Sequence, residues 1–320
     1  MTTSIVAGLP DREALALAQQ APTILRAHPR VFSASPLQPL ISGPETSEIW
    51  TNYENLLLSC LRTGNDRAAL ECLERLTMRF GEKDERVMAL EGLAKEAMAE
   101  TDADLQAVLK DYDDIMKEND SNIPIAKRRV ALLRSMGRTA DAIAAVNALI
   151  EYDTTDAEAW AEAADMYLEE GLYSQAMFAL DEVLALSPNA WNVHARAGEV
   201  LLMAVASSSE ASPASQLTEA VKRFARSVEL CDDYLRGYYG LKLATDKLLA
   251  LPAKSKKTDG EGFEVPSPAA LQKLNELSVK KLGDIVRHYT AGDQMWMGYN
   301  AGEIEAAKKL LEGTAAKVVR

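Results

Sequence analysis

Thr155-Asp-Ala-Glu-Ala-Trp-Ala-Glu-Ala-Ala-Asp-Met-Tyr-Leu-Glu-Glu-Gly-Leu-Tyr-Ser-Gln-Ala-Met-Phe-Ala-Leu-Asp-Glu-Val-Leu-Ala-Leu-Ser-Pro188 decides how this chain folds. Ala157, Trp160, Ala164 and Tyr167 recur at three- and four-residue steps, the spacing that puts apolar groups on one side of a helix. Gly171 follows, where a helix C-terminus needs the left-handed conformation that glycine adopts without steric cost. Tyr173, Ala176, Phe178, Leu180, Val183 and Leu184 then line a second helix, which Pro188 helps to end. Thr155 with Glu158 reads as a capping box at the entry to the first helix. Trp160 reads as the bulky filler, and Ala164 and Ala176 as the small positions where the two helices approach closely.

The pattern repeats. Gly137 to Gly171 and Ala142 to Ala176 are both 34-residue steps, and self-similarity at that period marks stacked helical hairpins. Trp160, Tyr167, Gly171, Tyr173, Ala176 and Pro188 occupy the structural slots of a tetratricopeptide repeat. Upstream, residues 123–152 repeat the plan with Val130, Leu133, Ala142, Val146 and Leu149 as core. Downstream, a helix opening at Trp191 and a second carrying Ala220 and Phe224 are separated by a serine-rich insertion at 206–215. A further unit starts at Tyr234. Helical pairs with drifting spacing precede all of these from Trp50 onward. The predicted fold is all-α, a right-handed superhelical tetratricopeptide solenoid of five or six helical pairs. Its divisions are an irregular N-terminal arm over 1–45, repeats over 46–250, a flexible proline- and glycine-rich linker over 251–268, and capping C-terminal helices over 269–320. In the last of these, the Met295-Trp-Met297 cluster reads as a cap on the final repeat, the alternative being a docking point for a partner.

Composition narrows the function. With 35 basic and 48 acidic residues among 320, the formal net charge is −13, the opposite of a nucleic-acid footprint. Lys127, Arg128, Arg129 and Arg134 make one local basic patch, and Lys254, Lys256 and Lys257 another within the linker. Cys60, Cys72 and Cys231 suggest no disulfide framework and favour a reducing compartment. The longest apolar run, Val200–Ala206, falls far short of the roughly 20 residues that cross a bilayer as a helix. The N-terminus lacks the basic and apolar regions of a secretory signal.

No catalytic constellation is legible. His28, His194 and His288 lack partners at metal-ligand spacing, and no phosphate loop or nucleophile elbow follows a strand. Neither catalytic residues, a metal nor a cofactor is expected. Clustered acids such as Asp111, Asp113 and Asp114 fit a solvated face. What remains is recognition. Projection of the repeat places Lys127, Arg134, Asp165, Glu169, Glu199, Leu202 and Tyr239 on the concave side, where first helices line up to bind polypeptides. The carboxylate-clamp slots of chaperone-binding repeats hold Lys127 and Ala131, Ala161 and Asp165, and Ala195 and Glu199, so that clamp is absent.

From about Trp50 to Leu311 the chain resembles the family of subunit 2 of the endoplasmic reticulum membrane protein complex, particularly its fungal members. The residues that carry the resemblance are Asp156–Leu168, Tyr173–Leu180 with Ser187-Pro188, Ala220–Ser227, Arg236-Gly-Tyr-Tyr-Gly-Leu241 and the tail Gln294-Met-Trp-Met-Gly-Tyr299. The resemblance implies a non-catalytic scaffold subunit of a membrane insertase for tail-anchored and multi-spanning proteins. It would lie peripherally on the cytoplasmic face of the endoplasmic reticulum membrane, cradling cytosolic tails of membrane subunits and a neighbouring soluble subunit. It would reach the membrane only through those partners and would not bind nucleic acid. The alternative is a soluble tetratricopeptide adaptor or cochaperone of another assembly.

Overall fold

The computed structural model describes residues 11–27, 47–207, 213–252 and 265–318. All regular structure among them is helical, and the helices pair as tetratricopeptide-type hairpins. Two compact units divide the chain, Met1–Tyr152 and Asp153–Arg320.

The first unit holds α1 (Asp11–Ala27), α2 (Ser47–Arg62), α3 (Asp66–Phe80), α4 (Glu85–Ala97), α5 (Asp102–Glu118), α6 (Ile123–Ser135) and α7 (Thr139–Tyr152). Their starts follow from local chemistry. Asp84 accepts from the backbone N–H groups of Arg86 and Val87, Thr101 and Asp104 form a reciprocal capping box, and Asn122 accepts from Ile125 N–H. The expected irregular arm over 1–45 contains the 17-residue helix α1. It buries Ala14, Ala18, Ala21 and Leu25, the last three joining the core formed by α2, α3 and α4. Arg75 of α3, almost wholly buried, fastens the helix: its guanidinium donates to the Leu25 carbonyl at 2.9 Å, to the Tyr53 hydroxyl at 2.6 Å and to Glu71 at 2.7 Å. Residues 1–10 and 28–45, the remainder of the expected arm, lie outside the described residues.

The second unit holds α8 (Ala157–Glu169), α9 (Tyr173–Leu186), α10 (Trp191–Ser207), α11 (Pro213–Leu230), α12 (Leu235–Ala250), α13 (Pro268–Thr290) and α14 (Ala301–Val318). Each of α8 to α13 packs on its successor, and α10 also meets α12. The expected loop at 206–215 is shorter than the sequence suggests, because α10 runs through Ser207 and α11 starts at Pro213; residues 208–212 lie outside the described set. The linker expected over 251–268 has packed ends, with Leu251 and Val265 against the core of α10, α11 and α12. Residues 253–264, with their three lysines, lie outside the described set.

One turn is used repeatedly. Gly64, Gly137 and Gly171 close the hairpins α2–α3, α6–α7 and α8–α9 with φ of 70°, 71° and 72°. In each, the N–H just after the glycine reaches back to the preceding helix: Asn65 to Cys60 at 2.9 Å, Arg138 to Leu133 at 2.9 Å and Leu172 to Tyr167 at 2.8 Å. This is the long bond of the Schellman motif, and it satisfies carbonyls that a helix end leaves orphaned.

Several details of the central repeat differ from expectation. The N-cap of α8 is Asp156, which accepts from Glu158 and Ala159 N–H groups, whereas the Thr155 hydroxyl bonds to Asp153. Trp160 is only half-buried, its indole N–H on the Thr154 carbonyl at 3.0 Å, and Phe178, expected in the core, is 59% exposed with an edge contact to Trp160. The close-packed centre is instead alanine-rich, with Ala164, Ala176, Ala179 and Ala197 meeting Leu180 and Val200. At the C-terminal end Trp296 and Tyr299 do the capping. Trp296 stacks between His288 and Tyr299, and the Tyr299 hydroxyl donates to the Asp233 carbonyl at 2.6 Å. Met295 and Met297, expected to share that role, are 90% and 52% exposed.

Cys60 and Cys72 are fully buried free thiols in the first unit. Burial pushes Cys72 from 9.0 up to about 12, with Cys60 adding a smaller contribution. The folded state therefore resists forming that thiolate. Its contribution to stability is complete below the thiol's unfolded pKa and is lost as pH rises through the window from 9.0 to about 12. Urea midpoints measured across that window are expected to fall less steeply for Cys72→Ala than for the parent.

Candidate protein-binding surfaces

The seven residues projected onto the concave side sit on the first helices of their hairpins. Lys127 and Arg134 lie two turns apart on α6, so they share a face; both are half-buried and neither is free of partners. In the second unit, Asp165 and Glu169 are on α8, Glu199 and Leu202 on α10 and Tyr239 on α12. Leu202 packs against the core around Phe224, and Tyr239 against the core that joins α12 to α13 and α14.

Two of the projected acids are joined by a residue that sequence reasoning missed. Arg196 of α10 donates to Asp165 at 2.8 Å and to Glu199 at 3.2 Å, tying α8 to α10. Burial opposes its charge, but the hydrogen bonds and charges of the two carboxylates prevail and hold the guanidinium above its ordinary range. The available signal was its position three residues before Glu199, which puts both on one helix face.

Two members of the basic patch, Arg128 and Arg129, are consumed inside the first unit. Arg128 forms a bidentate pair with Glu96, its Nε at 3.1 Å, and Glu96 also accepts from the Tyr112 hydroxyl. Burial and the Glu96 carboxylate both raise the Tyr112 phenol, so it stays a donor across the physiological range. Arg129 pairs with Asp113 at 2.7 Å. The acidic run opposite is likewise engaged: Asp111 takes Lys95 at 3.1 Å and Asp114 takes Lys117 at 2.7 Å. These carboxylates are tied to cations one by one, and none forms the close acid pair that shared-proton chemistry requires.

Among the described residues, no three His, Cys, Asp or Glu side chains are gathered as metal ligands, and no helix is long and apolar enough to cross a membrane. His194 is held as a packing residue, its Nε2 at 3.0 Å from the Pro188 carbonyl. The surfaces on offer are helix faces of mixed charge and scattered apolar groups, which suit polypeptide partners.

Comparison with known proteins agrees. Residues 81–213 match the family model described as the EMC2 TPR-like repeat domain. The chain is 32% identical over 246 residues to the TPR repeat protein oca3 of Schizosaccharomyces pombe, covering 75% of this chain and 83% of that protein. It is 28% identical over 251 residues to ER membrane protein complex subunit 2 of Xenopus tropicalis, covering 78% and 80% of the two chains. The Saccharomyces cerevisiae protein of the same name is 29% identical over 167 residues, 46% of this chain and 57% of that one.

Proposed function

The chain belongs to the family of ER membrane protein complex subunit 2, and on that premise we propose that it is a non-catalytic scaffold within such a complex. It gathers the cytosolic parts of membrane-spanning subunits and a soluble neighbour, and so supports insertion of tail-anchored and multi-spanning proteins. Family membership over most of the chain is the observation that carries this reading. The structure supports it in two ways. Helical hairpins present repeated faces for polypeptides, and Arg196 ties α8 to α10 through Asp165, which fixes two of those faces relative to each other. Attachment to the endoplasmic reticulum membrane, on its cytoplasmic face, comes through partners in this reading. The projected faces of α6, α8, α10 and α12 are the contact surfaces it assigns.

Affinity purification from detergent-solubilised membranes tests it. The expected result is co-recovery of several membrane-spanning proteins in fixed stoichiometry. A monomer confined to the soluble fraction would overturn the reading in favour of a free adaptor. In the same experiment, Lys127→Glu with Arg134→Glu is expected to reduce partner recovery while helicity holds. Unchanged recovery would assign both residues to solvation, and lost helicity would assign them to the fold.

A further inference from the structure

A groove of about 640 Å³ runs between α3 and α4 in the first unit, and none of the residues projected as contacts lines it. Its floor is apolar and stepped at helical spacing. Leu70, Leu73 and Met78 come from α3, Ala94 from α4, and Met98 from the end of α4. Leu70 and Met78 are 47% and 50% exposed, an uncommon state for neighbouring large apolar side chains on one wall. The rim is acidic. Glu74 and Glu82 are exposed and, among the described residues, have no cationic partner; Glu91 is tied to Lys95 at 3.3 Å. Lys95, the one basic group lining the groove among the described residues, is also bound to Asp111 and offers little charge to a ligand.

We propose that this groove is a docking site for a basic amphipathic helix of a partner polypeptide. A trough between two helices, with apolar positions along both walls, receives a third helix through anchors at i, i+3, i+4 and i+7. Methionine at two of the floor positions lets the surface adapt to different anchors. The uncompensated glutamates select lysine and arginine at the helix flanks and repel acidic competitors. A nucleic acid would meet an apolar floor and the wrong charge. An anionic lipid surface would meet the same charge and could not enter a concave site. The inference rests on the scaffold reading for its biological sense, but the site is testable without it.

The test uses the full-length chain and labelled synthetic helices of about 18 residues, some five turns. One carries leucine at the anchor steps and lysine elsewhere; a second has glutamate for lysine; a third has serine for leucine. Fluorescence anisotropy at physiological salt is expected to show binding of the first only, with a gain in its helicity. Glu74→Lys with Glu82→Lys, and separately Met78→Asp, are expected to weaken binding by about tenfold or more. Both variants change exposed side chains, and their melting curves should match the parent. The control Glu170→Lys with Glu312→Lys makes the same change in net charge elsewhere. Equal weakening by the control, equal binding of the serine peptide, or no binding of the leucine–lysine helix would each overturn the proposal. So would a dimer in sedimentation that Met78→Asp dissociates, since the groove would then serve a second copy. None of those outcomes bears on co-recovery from membranes, so the two readings fail separately.

Discussion

Gly240→Ala is expected to be among the most damaging single-methyl changes in this protein. A Cβ at position 240 on α12 would stand 2.0 Å from Cε1 of Phe224 and 2.2 Å from its Cζ. The ring has nowhere to go. It is fully buried, and its other edge lies against Gly198 of α10, where a Cβ would fall 2.7 Å from Cε2 and Cζ. The phenyl group of α11 is thus clamped between two bare stretches of backbone. Overpacking of this kind costs about 3 kcal/mol when neighbours cannot yield, which lowers the melting temperature of a domain of this size by about 6–12 °C. The measurement is thermal denaturation of Gly240→Ala, of Phe224→Leu and of the double variant. Because the clash is shared, the double variant should lose clearly less than the sum of the two. Gly64→Ala makes the informative contrast. A Cβ there meets nothing within 4 Å, and only the φ of 70° penalises it, which amounts to about 1–2 kcal/mol. A Gly240→Ala protein as stable as its parent would dismantle this account of the α10–α11–α12 core.

Glu96→Ala is expected to rank with it in the first unit. The Glu96 and Arg128 side chains are 11% and 21% exposed, and Tyr112 is 1% exposed. Removing the carboxylate strands a mostly buried guanidinium and a buried hydroxyl together. Breaking one side of such a pair costs about 3–5 kcal/mol when burial is complete; the residual exposure of Arg128 puts the expected loss near 3 kcal/mol. Replacing the whole group is a different operation. Glu96→Leu with Arg128→Met and Tyr112→Phe removes every polar member at once and is expected to recover most of that stability. Gly92 sets a geometric condition on the same cluster, since a Cβ there would lie 2.3 Å from the Tyr112 hydroxyl oxygen. Urea unfolding of the single and triple variants checks both statements. A triple variant weaker than Glu96→Ala would mean that the polar group is itself a net stabiliser.

The hairpins were legible because their determinants are periodic. A glycine at each reversal and alternating small and bulky residues fix where helices start, stop and touch. Depth was less legible than direction. Spacing put Trp160 and Phe178 on packing faces, yet one is half-buried and the other exposed, since nothing in a period says how much chain lies beyond a face. Helix α1 escaped notice because its packing face is mostly alanine, which gives little contrast with solvent-facing positions, and because Pro22 reads as a helix breaker although the helix runs through it. The polar ties escaped for another reason. Arg128 and Glu96 stand 32 residues apart and Arg196 and Asp165 stand 31 apart, and apolar periodicity carries no record of which charges meet across helices.

Arg75, Arg128, Arg129 and Arg196 each pair with a carboxylate of this chain, and such a pair, being neutral overall, leaves the net charge as it was. The formal excess of 13 negative charges sets the far field. At physiological salt that field decays over about 8 Å, a distance at which an anionic leaflet pushes the chain away rather than drawing it in. Residence beside a bilayer then demands specific protein tethers strong enough to outweigh the repulsion, and adding salt should loosen the tethers' ionic part while relaxing the repulsion itself.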